Sequence, residues 1–155
     1  MEVKKMEKKE KIENFILIFL ISIIFLSYFF GFYFDENSAG GGKGDFLNHT
    51  SKNLRLFNNN DLFDAFKIAV TDSSSEMFQS SRIPGFYIFN KLLNPFTDNP
   101  LYFRMSILFL SLLVPIIFYL ALCLKFKNIK KIYLFFLSTL ILLSPYFRTS
   151  AIWGN

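Results

Sequence analysis

Three carboxylates and three guanidinium groups are the side chains of this 155-residue chain with the most chemical potential. Asp35 and Glu36 follow directly on an unbroken apolar run. Asp45 comes after them, across Gly40-Gly41-Gly42-Lys43-Gly44. Acids held at the edge of a long apolar stretch are costly, and by default they raise a functional hypothesis. Paired carboxylates near cations can do acid/base work. Arg82, Arg104 and Arg148 lie beside later apolar segments, and the planar fork of an arginine grips phosphate oxygens in pairs. The six residues would suit a phosphorylated amphiphile, with an aspartate as base and arginines on the phosphate. Plainer explanations stand beside that one. A membrane helix must end, and acids with glycines end it well. An arginine at a helix end also snorkels its head to the interface.

Other chemistries find no support in the residues. The glycine cluster is not a P-loop, because Lys43 is followed by Gly44 and not by Ser or Thr. No metalloprotease, nucleophile-elbow or zinc pattern occurs. The single cysteine, Cys123, can form neither an internal disulfide nor a zinc site. The lone His49 has no partner at ligand spacing and reads as a solvated loop residue. No cofactor is implied. A carboxylate cluster could hold a divalent cation, but no ligand spacing is diagnostic of one.

Apolar blocks must position these groups. The chain is 52 % hydrophobic and 19 % charged, against about 45–50 % and 25 % in soluble domains. The excess sits in runs, which predicts an all-α membrane protein. Its net charge of +5 lies in clusters beside those runs, with no basic face interleaved with aromatics, so nucleic acid is not the expected partner. Residues 1–14 form a lysine-rich tail. Residues 15–34 carry no charge and hold fifteen Phe, Ile and Leu, enough to cross a core of roughly 30 Å. The run is too long for a signal peptide, and Phe34-Asp35-Glu36 is a poor cleavage context. Residues 101–124 form a second span, with Pro115 expected to kink it. Residues 125–131, with Lys125, Lys127, Lys130 and Lys131, form a basic connection. Residues 132–147 form a shorter third span, and residues 148–155 the far end.

The lysine distribution places the N-terminus and residues 125–131 in the cytoplasm, and residues 35–100 outside. That outer loop carries eight acids against six Lys and Arg. Phe46, Leu47, Leu54 and Phe57 fit one helical face, as do Leu62, Phe63, Phe66 and Val70. Both read as short amphipathic helices on the membrane surface, or as the core of a small outer domain. Ser73 with Glu76 forms a capping-box pattern. Pro84 suits a first helical turn, and Asn94-Pro95 should stop the short apolar segment that follows it. The expected architecture is three transmembrane helices with a long exoplasmic loop.

The order of these features resembles the start of polytopic GT-C glycosyltransferases. It begins with an outward first helix ending in Asp35-Glu36 and a loop with surface helices. Arg82-x-Pro84-x-x-Tyr87 follows, then Leu101-x-x-Arg104 leading into the next span. It is similar to the protein O-mannosyltransferase and lipid A aminoarabinose transferase group, of the glycosyltransferase family 39 kind. Ser144-Pro145-Tyr146-Phe147-Arg148-Thr149-Ser150-Ala151-Ile152-Trp153-Gly154 resembles a segment at the outer end of the third helix in related bacterial membrane proteins. The resemblance implies an integral protein of the cell (inner) membrane that transfers a sugar from a polyprenyl-phosphate donor to an exoplasmic acceptor. It makes a first-loop acid the general base: Asp35 with Glu36 beside it, or Asp45. It makes Arg82, Arg104 and Arg148 candidates for the carrier phosphate. Members of the group have many more spans, so the chain is expected to be an N-terminal portion and inactive alone. The competing expectation is a small non-catalytic membrane protein with an accessory or partner-binding role, or an inactive truncated gene product.

Overall fold

The computed structural model describes residues 2–71 and 84–154. Among these residues the structure is all-helical, with no strand. They divide into two compact units: residues 1–36 with 111–148, and residues 37–110 with 149–155. The Ser73–Glu76 capping box and Arg82 lie outside the described residues.

The first unit is built on α1, Glu2–Tyr33, a helix of 32 residues. It extends well N-terminal of the apolar run that begins at residue 15. The lysine–glutamate tail has good helix formers and pairs spaced four apart, such as Lys9 with Glu13, so the helix propagates through it. Helix α7, Leu113–Lys125, and helix α8, Lys131–Thr139, pack in the same unit. Tyr28, fully buried in α1, hydrogen-bonds the Ser111 hydroxyl and stacks on Phe147, ring centroids 6.3 Å apart. The ring is packed on Phe147, and the hydroxyl keeps a partner.

The helix Glu7–Tyr33 and the helix Pro100–Lys125 are each long and apolar enough to cross a membrane. The second consists of α6, Pro100–Ser111, and α7, with an irregular turn at Leu112. That break lies where a proline predicts it. Pro115 has no N–H for the Ser111 carbonyl, and its ring presses on the same group. The expected third span takes a different form. Helix α8 continues into a tight 3₁₀ turn at Leu140–Leu143, and α9, Pro145–Trp153, leaves at 70°. Ser144 precedes Pro145 and is extended, with ψ 122, because the proline ring disfavours helical geometry there. The apolar run is therefore a bent pair of helices, and Arg148 sits inside α9, not beyond a helix end.

In the second unit, α2 (Gly42–Asp45), a π-helical turn (Phe46–Thr50) and α3 (Ser51–Asn59) form one continuous stretch. Phe46, Leu54 and Phe57 are buried as the pattern predicts, but Leu47 is 52 % exposed. The wider π turn breaks the 3.6-residue phase on which that face was drawn. His49 falls in this turn and is half-buried, with Nδ1 buried and unpartnered, so it is not a solvated loop residue. Helix α4, Leu62–Thr71, buries Ala65 and leaves Phe63 and Phe66 exposed, so these two aromatic residues of its apolar stripe are not core.

Helix α5, Pro84–Leu93, starts at its proline and stops before Asn94-Pro95, as expected. Tyr87, fully buried, stacks on Phe57 at 5.7 Å and accepts a hydrogen bond from Asn53. Lys91 donates to the carbonyls of Phe57 and Asn60, neutralising the C-terminal end of α3. Asn99 caps α6 by accepting from the N–H groups of Leu101 and Tyr102, with Pro100 at the first helical position.

Gly154 closes α9 with φ +64, and a Cβ there would lie 2.8 Å from Phe103 Cε1. Gly154→Ala should cost about 2 kcal/mol from strain and overpacking. Gly44→Ala, with open space around it, should be neutral or slightly stabilising. Thermal unfolding in detergent micelles checks both: Tm falls by several degrees for the first variant and is held or raised for the second.

Candidate functional site

The first unit assembles its candidate site where α1 ends. The Asp35 N–H bonds the Phe32 carbonyl at 3.2 Å, and the Glu36 N–H bonds the Gly31 carbonyl at 2.8 Å. This is the double bond of a Schellman cap, which requires a left-handed residue between helix and loop. Glycine usually takes that place. Here it is Asp35, with φ 54, the one non-glycine among the described residues with positive φ. Asp and Asn tolerate the region because their short polar side chains bond locally. Asp35 is exposed.

The reversal turns Glu36 back onto Arg148, across 112 residues of sequence. Arg148 Nε donates to both carboxylate oxygens, at 2.9 and 3.0 Å, and Nη2 donates to Oε2. Nη2 also reaches the Ser27 carbonyl at 2.9 Å. Nη1 bonds Ser27 Oγ at 3.2 Å and the Leu142 carbonyl at 3.3 Å. A guanidinium has five N–H donors, and all five are engaged. The side chain is 9 % exposed, that of Glu36 is 23 %, and the Tyr28 ring lies 5.9 Å away. A bidentate pair this sheltered is a strong charge-assisted contact. Removing one partner strands the other charge in an apolar setting.

The second unit gathers the other groups. Gly40 and Gly41 have φ +72 and +76, so this turn needs glycine for its backbone conformation, not for space. Asn37 Oδ1 accepts from the Lys43 N–H at 3.3 Å, and the Ala39 N–H bonds Thr149 Oγ1 at 3.1 Å. Asp45 is exposed on α2. Arg104 is 8 % exposed: Nε donates to the Ile152 carbonyl at 2.9 Å, and the guanidinium stacks 3.9 Å from the centre of the Trp153 ring. Lys43 Nζ lies 5.5 Å from the same ring, and Phe46 packs between Phe103 and Trp153. Arg104 therefore does not snorkel outward. A desolvated cation–π contact of this kind is worth about 2 kcal/mol.

The structure thus joins Glu36 to Arg148 in one unit and sets Arg104 on Trp153 in the other. Asp35 and Asp45 are exposed neighbours of those two clusters. Among the described residues, no three His, Cys, Asp or Glu side chains gather as a metal site would require. Of the residues that receive Arg148, Ser27 and Leu142 went unnoticed in the sequence. Ser27 and Tyr28 are adjacent polar groups inside the first apolar run, and a paired hydroxyl and phenol at that depth is the signal that could have found them. Comparison with family models, with curated proteins and with solved structures finds no match for the chain.

Arg148→Ala should destabilise the protein by about 3 kcal/mol. Arg148→Lys should recover only part of this, since a lysine cannot reproduce the fork. Unfolding in graded SDS, followed by helical circular dichroism, gives the order wild type, Arg148→Lys, Arg148→Ala.

Proposed function

We propose that this chain carries the first-loop acid of an integral membrane glycosyltransferase of the GT-C kind. The enzyme moves a sugar from a polyprenyl-phosphate carrier to an acceptor at the exoplasmic face of the cell membrane. Asp35 is the general base in this reading, and Asp45 is its rival. The single observation that carries it is the geometry at the end of α1. Glu36 is committed to Arg148, while Asp35 is exposed and held in a strained backbone conformation beside it. Strain of this sort costs about 1–3 kcal/mol and clusters at active sites. The resemblance around Arg82-x-Pro84-x-x-Tyr87 and Leu101-x-x-Arg104 supports the same reading.

Three spans belong to the proposal: α1, Pro100–Lys125, and the bent pair as the third, with the N-terminus in the cytoplasm. Two contacts inside the first unit support the alternating directions. Lys130 Nζ meets Glu10 at 3.0 Å near one end of α1, and Arg148 meets Glu36 at the other. The lysines of residues 1–14 and 125–131 then share the cytoplasmic side. The exposed Phe63 and Phe66 of α4 suit a helix lying in the outer interface.

A second reading, a non-catalytic membrane protein, is favoured by one observation. The donors of Arg148 are all taken by the protein, so a phosphate could bind it only by displacing Glu36. The readings separate in a transfer assay with polyprenyl-phosphate-linked sugar and membranes containing the full product of the native gene that encodes this chain. Asp35→Asn keeps a residue that tolerates the left-handed cap, so folding is retained. Loss of a general base should lower transfer by about 10²–10⁴-fold. Full transfer by Asp35→Asn with loss in Asp45→Asn moves the role to Asp45. Full transfer by both variants overturns the first-loop acid. No transfer by the wild type favours the non-catalytic reading.

Orientation has its own check. A cysteine at the exposed position Asn59 should react with an impermeant thiol reagent in intact cells. Labelling only after permeabilisation would reverse the topology.

A further inference from the structure

The first unit has a strongly basic end, two of whose three acids are engaged within the unit. Residues 7–13 of α1 and the α7–α8 connection at 125–131 hold seven lysines against three glutamates, all exposed apart from the half-buried Glu13. Two of the three glutamates are engaged within the unit. Glu10 pairs with Lys130 at 3.0 Å; Glu13 accepts from the Tyr133 hydroxyl at 3.2 Å and lies 3.9 Å from Lys9. These bonds hold the polar extension of α1 against the connection and bring the two lysine groups to one end of the unit. The hydrogen bond to Glu10 raises the pKa of Lys130 above the usual lysine value. With a raised pKa, the stabilisation is present below the unfolded value and is lost only as pH rises through the folded one, above 10.5. The link is therefore constant across physiological pH.

Lys125, Lys127 and Lys131 take no part in these bonds between the elements. Among them stand two exposed apolar residues, Phe126 and Ile129, at 38 % and 45 % exposure. Lys125 Nζ lies 5.5 Å from the centre of the Phe126 ring. Cations interleaved with exposed apolar side chains, beside a helix able to cross a bilayer, match an interface of acidic headgroups over hydrocarbon.

We propose that this end of the first unit is a binding surface for anionic phospholipid headgroups, with Lys125, Lys127 and Lys131 on the phosphates and Phe126 and Ile129 in the acyl boundary. It rests on the helices crossing a membrane and is independent of any transferase activity. The occupant follows from charge complementarity and from the lipid that surrounds the helices.

The test reconstitutes the whole chain in bilayers of mixed phosphatidylcholine and phosphatidylglycerol. Native mass spectrometry after gentle detergent release counts the lipids retained. The surface predicts a several-fold excess of phosphatidylglycerol, reduced at high salt because exposed charges are screened. The triple variant Lys125→Gln, Lys127→Gln, Lys131→Gln keeps the Glu10–Lys130 link and should fold, but should lose most of the excess of phosphatidylglycerol. Equal retention by the wild type, undiminished excess in the triple variant, or retention of nucleic acid in place of phosphatidylglycerol overturns the proposal. Release of the protein from native membranes by alkaline carbonate would contradict the spanning helices themselves, which separates that failure from the failure of the lipid surface.

Discussion

The Glu36–Arg148 pair is the contact on which the rest of the first unit depends. An arginine in the body of a helix, packed among Tyr28, Leu142 and the first apolar run, needs every donor satisfied. Ser27, Leu142 and Glu36 together do this. The requirement reaches back into local structure. Glu36 meets the guanidinium because the chain reverses through a left-handed residue at Asp35, and that residue also supplies the C-terminal cap of α1. The strained Asp35 therefore ends the helix, aims Glu36 inward and itself stays exposed.

The same logic explains why the third apolar run bends. A straight helix through residues 132–147 would carry Arg148 past the end of the apolar stretch. The 3₁₀ turn at Leu140–Leu143 and the extended Ser144 before Pro145 restart the helix at 70° and place Arg148 in its first turns. There the guanidinium meets the Leu142 carbonyl at the end of the preceding turn, a position that favours a cation. In the second unit Arg104 solves the same problem by other means. It uses a carbonyl acceptor and the face of Trp153.

Much of this was legible where the signal is local. The apolar runs mark both helices able to cross a membrane. Pro84 starts α5, Asn94-Pro95 ends it, Pro115 follows the break at Leu112, and the glycine cluster supplies the positive φ at Gly40 and Gly41. What escaped depends on contacts far apart in sequence. Glu36 and Asp35 are equivalent acids until Arg148 chooses between them across 112 residues. Arg104 reads as an interfacial arginine until Trp153 is brought against it. The π turn at Phe46–Thr50 shifted a face that regular helical periodicity had drawn. Helix α1 extends through a polar tail because its lysine–glutamate spacing sustains a helix that hydropathy alone does not mark.

The central claim is that Glu36 and Arg148 are energetically coupled, and that this coupling sets the end of α1. A double-mutant cycle on Glu36→Gln and Arg148→Ala, read by unfolding in graded SDS, measures it directly. Neighbouring charged groups couple by about 0.5–3 kcal/mol. A sheltered bidentate pair predicts the upper part of that range, with the double variant losing much less stability than the sum of the two single losses. Strictly additive losses would mean that the two residues do not depend on each other, and would contradict this account of the site.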